Sequence, residues 1–333
     1  MSVEESCFIK AGKLVRPFTR SALVRSRSCS LPLQRVIADF GADGSFRETV
    51  NKIKEHYGIE ISHFAARKVT EQHALEMTKF KGKVQKGEKI VISQTDGSMV
   101  PIVETTPSKD KRKSRKILWK EVKLSFARGE GSLKRFYAGV IGSAEEAGKK
   151  MLECALLAGM QEGTHVHAIG DGAPWILDQF KLKFCNRGHY LIDFFHACEY
   201  LSKASIWCNP SNKDSWLKES KEKLKNGKEK EILEELKNRI EILQVEDNES
   251  GIIQCYRYME KRLEHMNDKS ILDKQLPIGS GEIESSHRTV VQKRLKIPGA
   301  WWKEENAHAM LQLRINRFNG YWEDYWQAQK FAA

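Results

Sequence analysis

Asp96 in IVISQTDGSMV, Asp171 in VHAIGDGAPW and the acid pair Glu282 and Glu284 in PIGSGEIESSHR are the side chains best suited to chemistry. Two divalent cations about 4 Å apart can drive phosphoryl transfer when carboxylates converge on them from separate elements, so such ligands lie far apart in sequence. Asp96 and Asp171 each close an apolar strand-like run, and the acids of the third segment open a helix. Each signal has a plainer alternative. Asp-Gly at 96–97 is also the commonest hairpin-turn pair. Asp171 follows a strand, where α/β sheets tend to place ligands. First-turn acids often only complement the helix dipole, so these residues alone leave the choice between Glu282 and Glu284 open. Asp193 and His196 in LIDFFHA lie three apart where a strand becomes a helix. A carboxylate and an imidazole so placed can bind a phosphate or orient a ligand; a helix-start Asp beside a buried His is the alternative. In order along the chain, the four segments suit a metal-dependent nuclease or transferase.

The elements that must position these residues follow from periodicity. Residues 1–45 carry Arg16, Arg20, Arg25, Arg27 and Arg35 with little periodicity, and read as a partly ordered basic arm. Residues 46–84 read as helical, with one helix to about Tyr57, a break at Gly58 and a second helix capped by Ser62. Such a pair can be a helix-turn-helix with Arg67 and Lys68 outward, or a plain hairpin packed on the next domain. From Glu88 the period becomes strand-like: KIVISQTDG, SMVPIVETT, WKEVKLSFARG and RFYAGVIGS predict three or four strands in a meander. A helix capped by Ser143 and Glu146 follows, then a strand through Asp171, a short helix from Pro174 and a strand running into a helix at His196. That order is the mixed sheet of an RNase-H-like α/β core, spanning 85–204. Residues 205–272 read as an all-α insertion before the last acid, with Leu233, Leu236, Ile240 and Leu243 as a packing seam. The core resumes over 273–333 and ends in a long helix through Arg317.

The formal charge of +12 over 333 residues favours an anionic partner, with DNA or RNA first. Lys109–Lys116, with Lys111, Arg112, Lys113, Arg115 and Lys116, forms a basic loop able to hold phosphates if it lies near the site. Arg288, Lys293, Arg294, Lys296, Trp301, Trp302 and Lys303 interleave cations with indoles, as a stacking surface does; tryptophans closing the core are the alternative. The seven cysteines include no CxxC pair, which disfavours a structural zinc site and reads as reduced thiols. His165 and His167 share a strand face, where packing or a hydrogen bond beside Asp171 outweighs ligation. No run approaches the roughly 18 apolar residues of a membrane span, and no signal-peptide pattern is present.

At these residues the chain resembles the DDE transposases of bacterial insertion sequences, specifically the Kra-type family related to the eukaryotic Mutator-like elements. The match rests on DG-MVP at Asp96, GDGAPWI at Asp171, LIDFFHACEYL at Asp193 and His196, and GSGEIESSHR followed by VVQKRLKIPGAWW. It covers roughly residues 85–326, while the N-terminal region is shorter than the resemblance implies. The resemblance implies Asp96, Asp171 and Glu284 as the metal-binding triad, with Asp193 and His196 as a D-x-x-H element between the second and third acids. It further implies two Mg²⁺ or Mn²⁺ ions, double-stranded DNA (element terminal repeats and target) as partner, a homo-oligomer on that DNA, and a bacterial cytoplasmic, nucleoid-associated location. A DNA-binding protein without catalysis, or an RNase-H-like nuclease that cuts without joining, are the other readings.

Overall fold

Polar caps and glycines set where the N-terminal helices begin and end. In the computed structural model the described residues are 5–21, 24, 29–80, 82–105 and 115–331. A small antiparallel ribbon of β1 (Phe8–Lys10) and β2 (Lys13–Val15) precedes α1 (Pro17–Ser21). Helix α2 (Leu31–Asp43) follows, inside the segment expected to be a basic arm. That expectation is corrected: Leu31, Ile37, Ala38 and Ala42 are buried in the core, and the cation Arg35 lies outward against Glu323. Ser45 and Glu48 form a capping box at the start of α3 (Phe46–Tyr57), and Gly58 ends it at φ 65°. Ser62 accepts from the Ala65 N–H to start α4 (His63–Met77), which packs on α2 and on the later helix 304–318.

The central sheet has the order β5-β4-β3-β6-β7. β3 (Ile90–Thr105), β4 (Arg115–Gly129) and β5 (Phe136–Ile141) are antiparallel neighbours. Helix α5 (Ala144–Leu157), capped by Ser143 and Glu146, leads to β6 (His165–Gly170), which joins β3 in parallel. Helix α6 (Pro174–Phe184) then connects to β7 (Gly188–Ile192), parallel to β6. Parallel strands need such crossovers, so β6 and β7 are covered on both faces and read as apolar runs. The expected break between two strands at Asp96 does not occur. β3 runs 16 residues through it, paired continuously with β4 from Val91↔Gly129 to Thr105↔Arg115. A turn at Asp-Gly needs a positive φ, and Gly97 has none.

After β7 come α7 (Phe194–Cys208), α8 (Lys213–Lys225), α9 (Glu229–Leu243), α10 (Gly251–Glu260) and α11 (Asp268–Leu272). Of the seam expected along α9, Leu236 is buried and Leu233 and Ile240 pack against the core beside the buried Ile232, while Leu243 is exposed. Helix α12 (Gly281–Ser286) passes through a π-helical turn, His287–Gln292, into α13 (Lys293–Leu295). Pro298-Gly299, with Gly299 at φ 76°, ends this run, and the long helix expected through Arg317 follows as α14 (Glu304–Phe318), with α15 (Trp322–Phe331) after it. One sheet face packs on α5, α6, α7 and the helices after it; the other packs on α2, α4 and α12–α15. No helix among the described residues is long and apolar enough to cross a membrane.

Asp268, buried in α11 with one carboxylate oxygen unpartnered, has its pKa pushed from 3.8 up to about 8 by burial and by the charges of Glu229 and Asp193. The fold holds this proton more tightly than the unfolded chain does. Its contribution to stability is therefore full below pH 3.8 and is lost progressively up to about 8. Asp268→Asn removes that slope. Melting curves from pH 5 to 8 are expected to show the variant gaining several degrees on the parent as pH rises, and a constant difference would refute this assignment.

Candidate active site

Side chains alternate along a strand, so Gln94, Asp96, Val100 and Ile102 share one face of β3, the face that meets α12. The last parallel pair between β3 and β6 is Gln94↔Ile169. Asp96 and Asp171 each lie two residues farther on, which brings two carboxylates level on neighbouring strands. Asp96 is half-buried and its carboxylate accepts from the Gly97 N–H at 2.7 Å. Burial above all, with the charges of Asp171 and Glu121, pushes its pKa up to about 6 against the pull of the Gly97 N–H and His196. Two close carboxylates on a part-desolvated face are an arrangement that a cation relieves.

Asp171 is held by elements distant in sequence. Its Oδ1 accepts from the Ala173 N–H at 2.8 Å, and its carbonyl accepts from the Tyr258 hydroxyl at 2.9 Å. The Gly172 carbonyl accepts from Arg262 Nε at 3.0 Å, and the Gly172 N–H donates to the Tyr190 hydroxyl at 3.2 Å. Gly172 adopts φ 79°, and a Cβ there would stand 2.3 Å from Arg262 Nε and 2.7 Å from Ile192, so only glycine suits the position. Tyr258 and Arg262, in and just after α10, thus give the helical segment a part in positioning an acid. No local pattern signalled either of them.

Asp193 caps α7 and is buried. It accepts from the His196 N–H at 2.7 Å and from both the N–H and hydroxyl of Ser280. The Phe194 N–H donates to the Ile278 carbonyl at 3.0 Å. Gln94 binds the same entry segment, donating to the Gly279 carbonyl at 3.4 Å and accepting from the Ile283 N–H at 2.9 Å. Between them Asp193 and Gln94 fix the start of α12. One turn into the helix, His287 is buried with Nε2 3.1 Å from the Asp96 carbonyl and Nδ1 unpartnered. Gln94 and His287 were not recognised from the sequence, although the three-residue spacing of His287 from Glu284 places both on one helix face.

The two acids of α12 have different surroundings. Glu282 is paired with Arg128 at 3.0 Å and Arg135 at 3.3 Å. Glu284 is exposed and makes no ion pair among the described residues. His196 is partly exposed, edge-on to Tyr200 and Tyr258, with Glu199 3.6 Å from its Nδ1, and its charge reaches Asp96. His167 is buried within β6 and hydrogen-bonded to the Pro277 carbonyl at 2.8 Å, a packing role. Among the described residues no three His, Cys, Asp or Glu side chains stand together as a metal-holding group. The oxygen donors of Asp96 and Asp171 fit a hard divalent cation, and Glu284 does not join them in this arrangement.

The expected DNA-contacting residues divide. Lys111, Arg112 and Lys113 lie outside the described residues. Arg115, Lys116, Arg288, Lys293 and Trp301 are exposed, and Lys296 is half-buried. Arg294 and Trp302 are not on a stacking surface. Both are buried, with the guanidinium 4.7 Å from the Trp302 ring and 4.7 Å from that of Phe46. Trp302 is bridged to Ile102 and its carbonyl accepts from the Val103 N–H at 2.7 Å, so this indole closes the core.

A family model described as Uncharacterised protein family (UPF0236) matches residues 42–330. No curated protein matches the chain. Among solved structures, the Drosophila P element transposase strand transfer complex is similar at 9% identity and a TM-score of 0.34, over 92% of this chain and 83% of that one.

Proposed function

This chain belongs to that uncharacterised family, and from its site we propose that it is a DDE transposase, a metal-dependent polynucleotidyl transferase that cuts and joins insertion-sequence DNA ends. The observation that carries this reading is the Asp96–Asp171 pair, level on adjacent parallel strands, with the helix bearing Glu284 clamped against β3 by Gln94, Asp193 and His287. The strand order β5-β4-β3-β6-β7, with the two acids on its central neighbours, supports an RNase-H-like core. The charge of +12 supports DNA as substrate.

Asp96 and Asp171 would hold the divalent cation; Glu284, which stands outside this pair, would complete the set only if α12 turned its carboxylate inward. Mg²⁺ or Mn²⁺ bound there lowers the pKa of a water or DNA 3′-hydroxyl and steadies the leaving oxygen. The chain's own residues do the rest. Asp96, with its pKa pushed up only to about 6, would present an ionised carboxylate to the site at neutral pH. Tyr258, Tyr190 and Arg262 keep the Asp171 loop from swinging away. His196, whose charge reaches Asp96, is placed to donate to a phosphate oxygen of the strand. No protein nucleophile is required, so water and a 3′-hydroxyl can be used in turn at one site.

The test is purified protein with Mn²⁺ or Mg²⁺ and labelled duplexes carrying the sequences that flank its gene. Cut strands with 3′-ends joined to target DNA support the transferase. Cuts without joining leave a nuclease, and binding without cuts leaves a DNA-binding protein. Within this assay Glu284→Gln is expected to lower cleavage on the order of 10²-fold or more, as loss of a charge that stabilises the transition state does. Glu282→Gln should change the melting temperature and leave the rate within a few-fold, because Glu282 is spent on Arg128 and Arg135. The reverse pattern would assign the third acid to Glu282.

A further inference from the structure

A groove of about 560 Å³ lies between α4, the far end of the β3–β4 pair and the turn at Gly299–Lys303. Its walls carry Arg67 and Lys68 from α4, Arg115 from the start of β4, Lys303 and the exposed ring of Trp301. Arg294 closes the rear. Five cations thus line the groove against two carboxylates, Glu71 and Glu305. Glu71 is already engaged, accepting from Asn306 at 2.9 Å and lying 3.8 Å from Arg67 and Lys68. Arg294 makes no ion pair among the described residues. Its Nε donates to the Gly41 carbonyl at 2.8 Å, and its Nη2 is buried without a partner. A buried guanidinium with no ion pair, acted on only by the more distant charges of Glu48, Asp43 and Glu71, is costly to keep, and an anion seated in the groove in front of it offsets that cost.

We infer that this groove is a second nucleic-acid site, which grips the sugar–phosphate backbone of duplex DNA away from the acids. The inference rests on the proposed DNA substrate and adds the path that the duplex takes. Arg67 and Lys68 are about half exposed and both line the groove, as phosphate-contacting cations do, and Trp301 offers a flat apolar surface beside them. The groove is tied to the acids through β3 itself. Val103 lines the groove and Asp96 lies seven residues back, about 23 Å at the rise of an extended strand. A duplex lying along β3 with one phosphate at Asp96 therefore reaches the groove roughly seven base pairs away, at about 3.4 Å per step.

The test is fluorescence anisotropy of a fluorescein-labelled DNA duplex of arbitrary sequence, titrated with the full chain over a salt series, beside Mn²⁺-dependent cleavage of the same duplex. Arg67→Glu with Lys68→Glu is expected to weaken binding about tenfold or more and to lower the slope of log affinity against log salt by about two, at unchanged melting temperature. Trp301→Ala should weaken binding with the slope unchanged. Asp96→Asn should bind as the parent does while failing to cut, which separates the groove from the acids. Parental affinity and slope in the charge-reversed protein overturn the groove, whether or not the DNA is cut. Normal binding with lost cleavage also overturns it, because Arg67 and Lys68 would then serve the acids. A parent protein that binds through the groove yet never cuts refutes the transferase reading and supports the groove.

Discussion

Asp96→Asn and Asp171→Asn are each expected to abolish strand cleavage, by on the order of 10³-fold or more, while duplex binding persists. Each swap keeps the shape of the side chain and removes a charge that the cation requires. The stability effect should run the other way for Asp96. Burial and the Asp171 charge hold its pKa at about 6, so at neutral pH the folded protein carries an ionised group that it disfavours. An amide at 96 relieves that repulsion and still accepts from the Gly97 N–H. The variant should melt at or above the parent temperature, inactive and intact. Single-turnover cleavage and thermal melts on one preparation check both halves. Residual activity within tenfold of the parent would remove Asp96 from the site.

Asp193→Ala is expected to have the largest effect on the fold. It deletes the buried acceptor for three donors, the His196 N–H and the N–H and hydroxyl of Ser280. Stranded buried donors cost about 1–3 kcal/mol each before relaxation, so a net loss of roughly 3 kcal/mol follows. At an unfolding entropy of about 2.1 cal/mol/K per residue, in a chain of 333 residues that lowers the melting temperature by about 4 °C. Activity should fall further than unfolding accounts for, since Ser280 stands at the entry to the helix of Glu284. Asp193→Asn keeps one acceptor and should fall between parent and alanine in both readouts. A rate that simply tracks the folded fraction would make Asp193 a structural cap only.

Local signals in the sequence were legible where the physics is local. The capping pairs Ser45–Glu48 and Ser143–Glu146, the Gly58 stop and the Ser62 cap all stand where the residue types predict them, because each depends on side chains three residues apart. The strand carrying Asp171 and the strand-to-helix junction at Asp193 were equally readable. Asp-Gly at 96–97 misled because turn chemistry was weighed without the partner strand that pairs straight through it. Helix α2 was missed because its cation and its buried apolar residues lie on opposite faces, which composition averages together. Arg294 looked like a surface cation, and its burial depends on Phe46 and Trp302, rings from two other segments. Tyr258 and Arg262 bind a loop 87 and 90 residues away. Nothing nearby in the chain announces such contacts.

Those same long-range bonds bear on the order in which the molecule comes into being. A ribosome releases Asp96 and Asp171 well before Tyr258, Arg262 and Ser280, and domains mature as their segments emerge. Until residue 262 is out, the carbonyls of Asp171 and Gly172 lack the hydroxyl and guanidinium that hold them, and until residue 280 is out Asp193 lacks Ser280. A nascent or prematurely terminated chain therefore carries Asp171 on a loop that is not yet fastened, while Asp96 belongs to β3 itself. The Asp171 loop and the entry to α12 are fastened late in synthesis, once residues 258–280 have emerged.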